Sequence, residues 1–118
     1  MKKSLFVFLL GMSSLAQGQI VDLDCEYTNG NGQKTIDNIT VDLDKKTFKN
    51  GDEFFTHHQV EITEEFVSAQ KFDRGTVTFS ATHQISRVTL SYVYVFGLNS
   101  TRNRFEGQCE IVTRKRAF

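Results

Sequence analysis

The 118-residue sequence has no proline, no tryptophan, two cysteines and eight glycines, and its 14 Lys and Arg are matched by 14 Asp and Glu. Each shortage closes off a class. Eight glycines are too few for a collagen-like chain, and two cysteines are too few for a disulfide-dense miniprotein. The lack of net charge removes the basic surface with which a dedicated nucleic-acid binder displaces counterions from phosphates, so no nucleic-acid partner is expected. Without Trp, a domain of this size must build its core from Phe, and the sequence holds 11 of them beside three Tyr. At 39% hydrophobic residues it is too apolar for a disordered chain, and its length allows a single domain.

Chemical motifs are missing as well. There is no C-x-x-C, no H-E-x-x-H, no G-x-S-x-G elbow, no phosphate-binding loop and no dinucleotide fingerprint. No segment sustains a helical 3.6-residue stripe. No catalytic residues, metal site or cofactor are expected on these grounds.

What is present begins at the N-terminus. Lys2 and Lys3 precede the apolar run Leu5–Met12, and small residues follow at Ala16 and Gly18. This is the architecture of a secretory signal peptide, with residues 1–18 cleaved and a mature domain over 19–118; cleavage after Ala16 is the alternative. The run is shorter than the roughly 20 apolar residues that cross a bilayer, and no second such run follows. Cys25 lies too far from the cleavage region for a lipoprotein. An exported protein is expected, periplasmic or secreted, with no transmembrane segment after cleavage, and the Lys-Lys signal looks bacterial. Asn38-Ile39-Thr40 and Asn99-Ser100-Thr101 match the N-glycosylation pattern, which matters only in a host that glycosylates secreted proteins.

In the mature part the dominant hydrophobic period is two. Val21, Leu23, Cys25 and Tyr27 alternate with acids, and the alternation returns in Ile39–Leu43, His58–Ile62, Val77–Ile85, Val88–Phe96 and Phe105–Ile111. The breaks carry turn residues, notably Asn29-Gly30-Asn31-Gly32 and Asn50-Gly51-Asp52, which tolerate the positive φ of tight hairpins. Glu64–Phe72 fits a strand or a single helical turn. The expected fold is all-β: a small antiparallel barrel or sandwich of seven or eight strands in meander order.

Cys25 in the first strand and Cys109 in the last are expected to pair in an oxidising compartment. Such a bond staples the terminal strands and contributes on the order of 4 kcal/mol by loop-entropy scaling. The plan of an exported chain of this size with a cysteine in its first strand resembles the small periplasmic inhibitors of c-type lysozyme. That resemblance implies a barrel and a binding role. The family's Ser-Gly-x-x-Tyr inhibitory loop has no counterpart, since no Ser-Gly pair occurs, so no residue roles are carried over.

Charge divides along the chain. Residues 19–65 hold eleven acids and four Lys; residues 66–118 hold three acids and eight bases. Pairing of strands from the two halves would interleave these charges. The basic tip Arg114-Lys115-Arg116 reads as a solvated strand end, and the acids Asp22, Asp24 and Glu26 as an outward strand face. His57, His58 and His83 are the only imidazoles. Adjacent strand residues point to opposite faces, so His57 and His58 are not expected to share an ion; His83 with either of them, plus Glu61 or a neighbouring carboxylate, remains the alternative of a metal-dependent enzyme.

The aromatic residues carry the functional expectation. Of the consecutive pair Phe54-Phe55, one ring must leave the core face, and an exposed ring beside the Asn50–Glu53 turn is a contact anchor. Phe54 and Phe55 are thus the candidate binding residues of a non-enzymatic domain that grips an envelope or secreted protein or a glycan. The alternative is a carrier of a small apolar ligand, with Tyr92, Tyr94 and Phe96 lining the barrel interior.

Overall fold

Alternation alone specifies which side chains face inward, and the computed structural model, which describes residues 19–114, shows where they meet. The signal-peptide segment and the end of the basic tip lie outside the described residues. Nine strands form one antiparallel sheet: β1 (Ile20–Thr28), β2 (Lys34–Asp42), β3 (Thr47–Asn50), β4 (Glu53–Phe55), β5 (Val60–Ile62), β6 (Phe66–Arg74), β7 (Thr78–Ser86), β8 (Ser91–Leu98) and β9 (Thr101–Val112). Their spatial order is β4-β3-β2-β1-β9-β8-β7-β6-β5, a meander whose two halves are joined by the β1–β9 ladder. The sheet curls into a nearly closed barrel, which decides the barrel-or-sandwich question and raises the expected strand number. Beside the ambiguous Glu64–Phe72 stretch, the strands absent from the alternating rows are the four-residue β3 and the three-residue β4, too short to show a period.

Closure is made by chain continuity. β4 pairs with β3 through Phe48↔Phe55, while β5 pairs with β6 through Val60↔Ala69 and Ile62↔Val67. The chain changes neighbours through a 3₁₀ turn at His57–Gln59. No ladder joins β4 to β6, leaving a seam along the upper part of β6.

Turns are pinned by short polar side chains. Asn29 Oδ1 accepts from the Asn31 and Gln33 amides at 2.9 and 3.0 Å, and Asp42 Oδ1 from Asp44 and Lys45 at 3.1 and 3.0 Å. Thr63 Oγ1 takes the amides of Glu65 and Phe66, so the ambiguous Glu64–Phe72 stretch is a turn feeding a strand. Ser86 Oγ takes those of Val88 and Thr89. This last turn interrupts the expected Val88–Phe96 strand: Leu90 adopts a positive φ of 64°, and β8 starts at Ser91.

The core follows the inward rows. Leu23, Ile39, Val41, Phe48, Phe55, Val67, Ala69, Ile85 and Tyr92 are buried around the Cys25–Cys109 disulfide. The two cysteines are directly opposed across the β1–β9 ladder, so the bond ties strands that already pair. Gly107 in the same ladder stands opposite Tyr27 on one side and Tyr92 on the other. A Cβ there would run into the carbonyl oxygen of Glu26, and its absence lets β1 and β9 approach.

The charge halves do interleave. Arg114 lies 3.1 Å from Asp24 and 3.8 Å from Asp22, and Lys71 lies 3.7 Å from Glu53. The expected solvated acid face and solvated strand end are thus corrected: Asp22 is 6% exposed, with Thr40 donating to its Oδ1 at 2.8 Å, and Arg114 folds back to donate to Asp24 and to the Leu23 carbonyl.

Candidate binding site at the polar end of the barrel

Phe54 and Phe55 separate as the strand period demands. Phe55 is wholly buried, its ring edge-on to Phe48 with centroids 5.4 Å apart, whereas Phe54 is 51% exposed on the outer face. Only Phe54 of the pair offers a ring to a partner. Across the seam, Phe72 on β6 is likewise outward and 53% exposed.

The histidines fall in two places. His57 and His58 do not lie on a strand: they occupy the 3₁₀ turn, where the Thr56 amide donates to Gln59 Oε1 at 3.0 Å and the Gln59 amide to the Thr56 carbonyl at 2.8 Å. Their exposed rings lie 3.9 Å apart, since a tight turn does not separate neighbours as a pleated strand does. His83 is inside the barrel, 1% exposed. Among the described residues no three of His, Cys, Asp and Glu gather in a way that could hold a metal ion.

His83 belongs to a polar chain that crosses the interior. The Tyr92 hydroxyl donates to Asp37 Oδ2 at 2.7 Å and lies 2.7 Å from His83 Nδ1. With Asp37 ionised, its carboxylate only accepts and takes the single hydroxyl proton of Tyr92, so Nδ1 is the protonated nitrogen that donates to Tyr92. His83 Nε2 is then an acceptor. It faces Glu53 Oε1 at 3.9 Å, beyond hydrogen-bond range, and has no hydrogen-bond partner. Lys71 reaches in from β6, 3.7 Å from Glu53 Oε2 and 4.5 Å above the Phe55 ring.

Aromatic rings wall the cluster. The Tyr94 ring stacks on the imidazole at 4.7 Å and 13°, and Phe48 and Phe55 lie 5.6 and 5.5 Å from it. Tyr27 contacts Tyr92, Tyr94 and Phe105 at 5.9, 5.8 and 5.7 Å. The row of Tyr92 and Tyr94 does line the interior as the periodicity implied, but these rings pack against one another and against His83.

Burial sets the electrostatics. It holds the His83 pKa down to about 4, with Lys71 acting in the same direction. Burial also raises Asp37, the nearby Glu53 charge adds to this, and the Tyr92 hydrogen bond works against it. Tyr27 is pushed up to about 12 by burial and then by Asp37 and Tyr94; Tyr92 and Tyr94 are raised by burial and by the Asp37 charge. The interior at this end is thus dominated by two carboxylates.

The opposite end is different in kind. A cavity of about 190 Å³ opens there, lined mainly by Val21, Leu23, Val41, Val67, Ile85 and Leu90. The hollow part of the barrel is therefore aliphatic, away from the Tyr92–Phe96 row.

Asp37, Glu53 and Lys71 carried no role in the sequence reading, yet a signal for each was present. Asp37 extends the row Ile39-Val41-Leu43 by one step, Lys71 extends Val67-Ala69, and Glu53 precedes Phe55 by two. A polar residue that continues an inward row is a candidate for the interior. Comparison of the chain with protein-family models, with curated proteins and with solved structures finds no match.

Proposed function

We propose that this chain is an exported, non-enzymatic binding domain that grips a protein partner along the seam between β4 and β6. The observation that carries this reading is the Phe54 ring, half exposed on a three-residue edge strand and facing solvent beside the unpaired seam. Phe72 supplies a second exposed ring on the other side. Beyond Ala69, β6 has no ladder partner on that side, so the two rings flank a stretch of sheet whose edges are not paired to each other. Exposed aromatic rings are the side chains that most often anchor a protein contact. The Cys25–Cys109 disulfide agrees with an oxidising, exported location.

The test is capture of envelope and secreted proteins by the immobilised, oxidised protein, with a heat-denatured control. A stoichiometric partner is expected, and Phe54→Ala and Phe72→Ala each weaken its binding at least tenfold. A captured partner indifferent to both substitutions overturns the seam as the contact surface, and capture of glycan alone overturns the protein class.

The aliphatic cavity favours a second reading, a carrier. Its volume, about 190 Å³, is below the roughly 300 Å³ at which small-molecule pockets begin. It suits only a short acyl chain. Native mass spectrometry of the purified protein, with and without added medium-chain fatty acid, decides whether one binds.

A further inference from the structure

His83 Nε2 is, among the described residues, the buried side-chain polar atom left without a hydrogen-bond partner. Leaving an acceptor so placed forfeits its hydration with nothing in return, and native folds keep few of them. What the atom faces indicates what it lacks. Nδ1 is committed to Tyr92, so Nε2 presents a lone pair, and 3.9 Å away stands Glu53 Oε1, a second acceptor. One heavy atom carrying two or more N–H groups, placed between them, would satisfy both.

The local charge points the same way. Asp37 and Glu53 bring two negative charges and Lys71 one positive, leaving room for another cation. The walls suit an ammonium: Tyr94 stacks on the imidazole, and the face of Phe55 already carries the Lys71 ammonium at 4.5 Å. A divalent metal ion lacks a third ligand and would sit beside the Lys71 charge. Solvent reaches the cluster at the seam, where no backbone ladder joins β4 to β6 and the Lys71 and Glu53 side chains are 29% and 35% exposed. With His83 only 1% exposed, what passes must be thin, which favours a linear alkyl chain over a sugar ring.

We propose that the gap between His83 Nε2 and Glu53 Oε1 is a binding site for a primary alkylammonium group, which enters between β4 and β6 and donates one N–H to each acceptor. This goes beyond the outer contact surface, because it concerns an interior site with its own ligand chemistry. A lysine side chain and an amino sugar share the ammonium, and the site selects the former by its stem.

The test is imidazole-nitrogen NMR of the oxidised full chain titrated with n-butylammonium, whose stem matches that of lysine. With three histidines in the sequence the His83 signals are assignable by a His83→Gln control. A saturable shift of Nε2 toward the hydrogen-bonded position is expected. Glu53→Gln weakens it at least tenfold, and Lys71→Met, which removes the resident cation, strengthens it several-fold. Tetramethylammonium, charged but without N–H groups, leaves Nε2 unmoved. An Nε2 signal that ignores n-butylammonium, or that answers tetramethylammonium or sodium equally, overturns the site. Glucosamine binding as tightly as n-butylammonium overturns the alkyl route. The titration reads the imidazole alone and the capture assay reads the outer rings alone, so the interior site and the outer surface fail independently.

Discussion

The hydroxyl of Tyr92 and Nδ1 of His83 lie 2.7 Å apart in the barrel interior, and the hydroxyl proton is spent on Asp37. With Asp37 ionised, the two contacts together set the tautomer of the imidazole and make Nε2 the open acceptor.

Acid should weaken the fold through His83. Its folded pKa, held at about 4, lies below the ordinary 6.5, so the unfolded chain takes up the proton first. Stability is full above about pH 6.5 and falls as pH drops toward 4, by about 3 kcal/mol from this residue at the standard 1.36 kcal/mol per unit. Asp37, raised in the fold, has the opposite sign and offsets part of this at lower pH. Urea unfolding at pH 7, 5.5 and 4 should show the loss, and His83→Gln should flatten it. A wild-type midpoint that does not move between pH 7 and 4 contradicts a neutral, buried His83.

Tyr92→Phe removes the bridge while keeping the ring. Asp37 and His83 Nδ1 then lose their shared partner, and a loss of about 3 kcal/mol follows from leaving two part-buried polar groups unpaired. The same burial keeps tyrosines protonated in alkali. At pH 10.5 the ultraviolet signal of tyrosinate should be smaller in the folded protein than after unfolding in urea, since burial raises all three hydroxyls above the ordinary value of 10.0.

Gly107→Ala should be among the most damaging single-methyl additions in the chain. The new Cβ meets the Glu26 carbonyl and the Tyr27 Cβ, both held by the β1–β9 ladder, so neither can give without breaking strand pairing. A loss of about 3 kcal/mol or more is expected for forced overpacking of this kind. Gly75→Ala, with nothing within 4 Å and no positive φ, is the control and should stay within about 0.5 kcal/mol. Equal denaturation midpoints for the two variants would show that the strands separate easily at this point.

Phe54→Ala and Phe55→Ala should split stability from binding. Truncating the buried Phe55 opens a cavity beside Phe48 and His83 and lowers stability by about 3–5 kcal/mol. Truncating the half-exposed Phe54 changes stability by less than about 1 kcal/mol, because its ring is already in water on one side. Thermal melts of the two variants, run beside the capture assay, test both halves of this statement.

Much of the architecture was legible in the residues. Val21-Leu23-Cys25-Tyr27 and the later alternating rows name the inward faces because a strand turns each side chain over by the period of two, and Asn29–Gly32 and Asn50–Asp52 mark turns because few residues accept positive φ. The terminal disulfide was legible from the positions of Cys25 and Cys109 in the outermost rows. The 3₁₀ turn at His57–Gln59 was not: three residues carry too little pattern to separate a turn from a strand end, so the two imidazoles were assigned to opposite faces when in fact their rings lie side by side, 3.9 Å apart and tilted by 41°.

Sequence by itself determined the all-β class, the faces of the long strands and the split of Phe54 from Phe55, since these depend on local backbone geometry alone. Only the tertiary structure decided that the sheet closes as a barrel and that Asp37, Glu53, Lys71, His83 and Tyr92 meet at one level within it. They come from five strands, and their meeting depends on the stagger between ladders, a property of how strands are paired that no single stretch of sequence records.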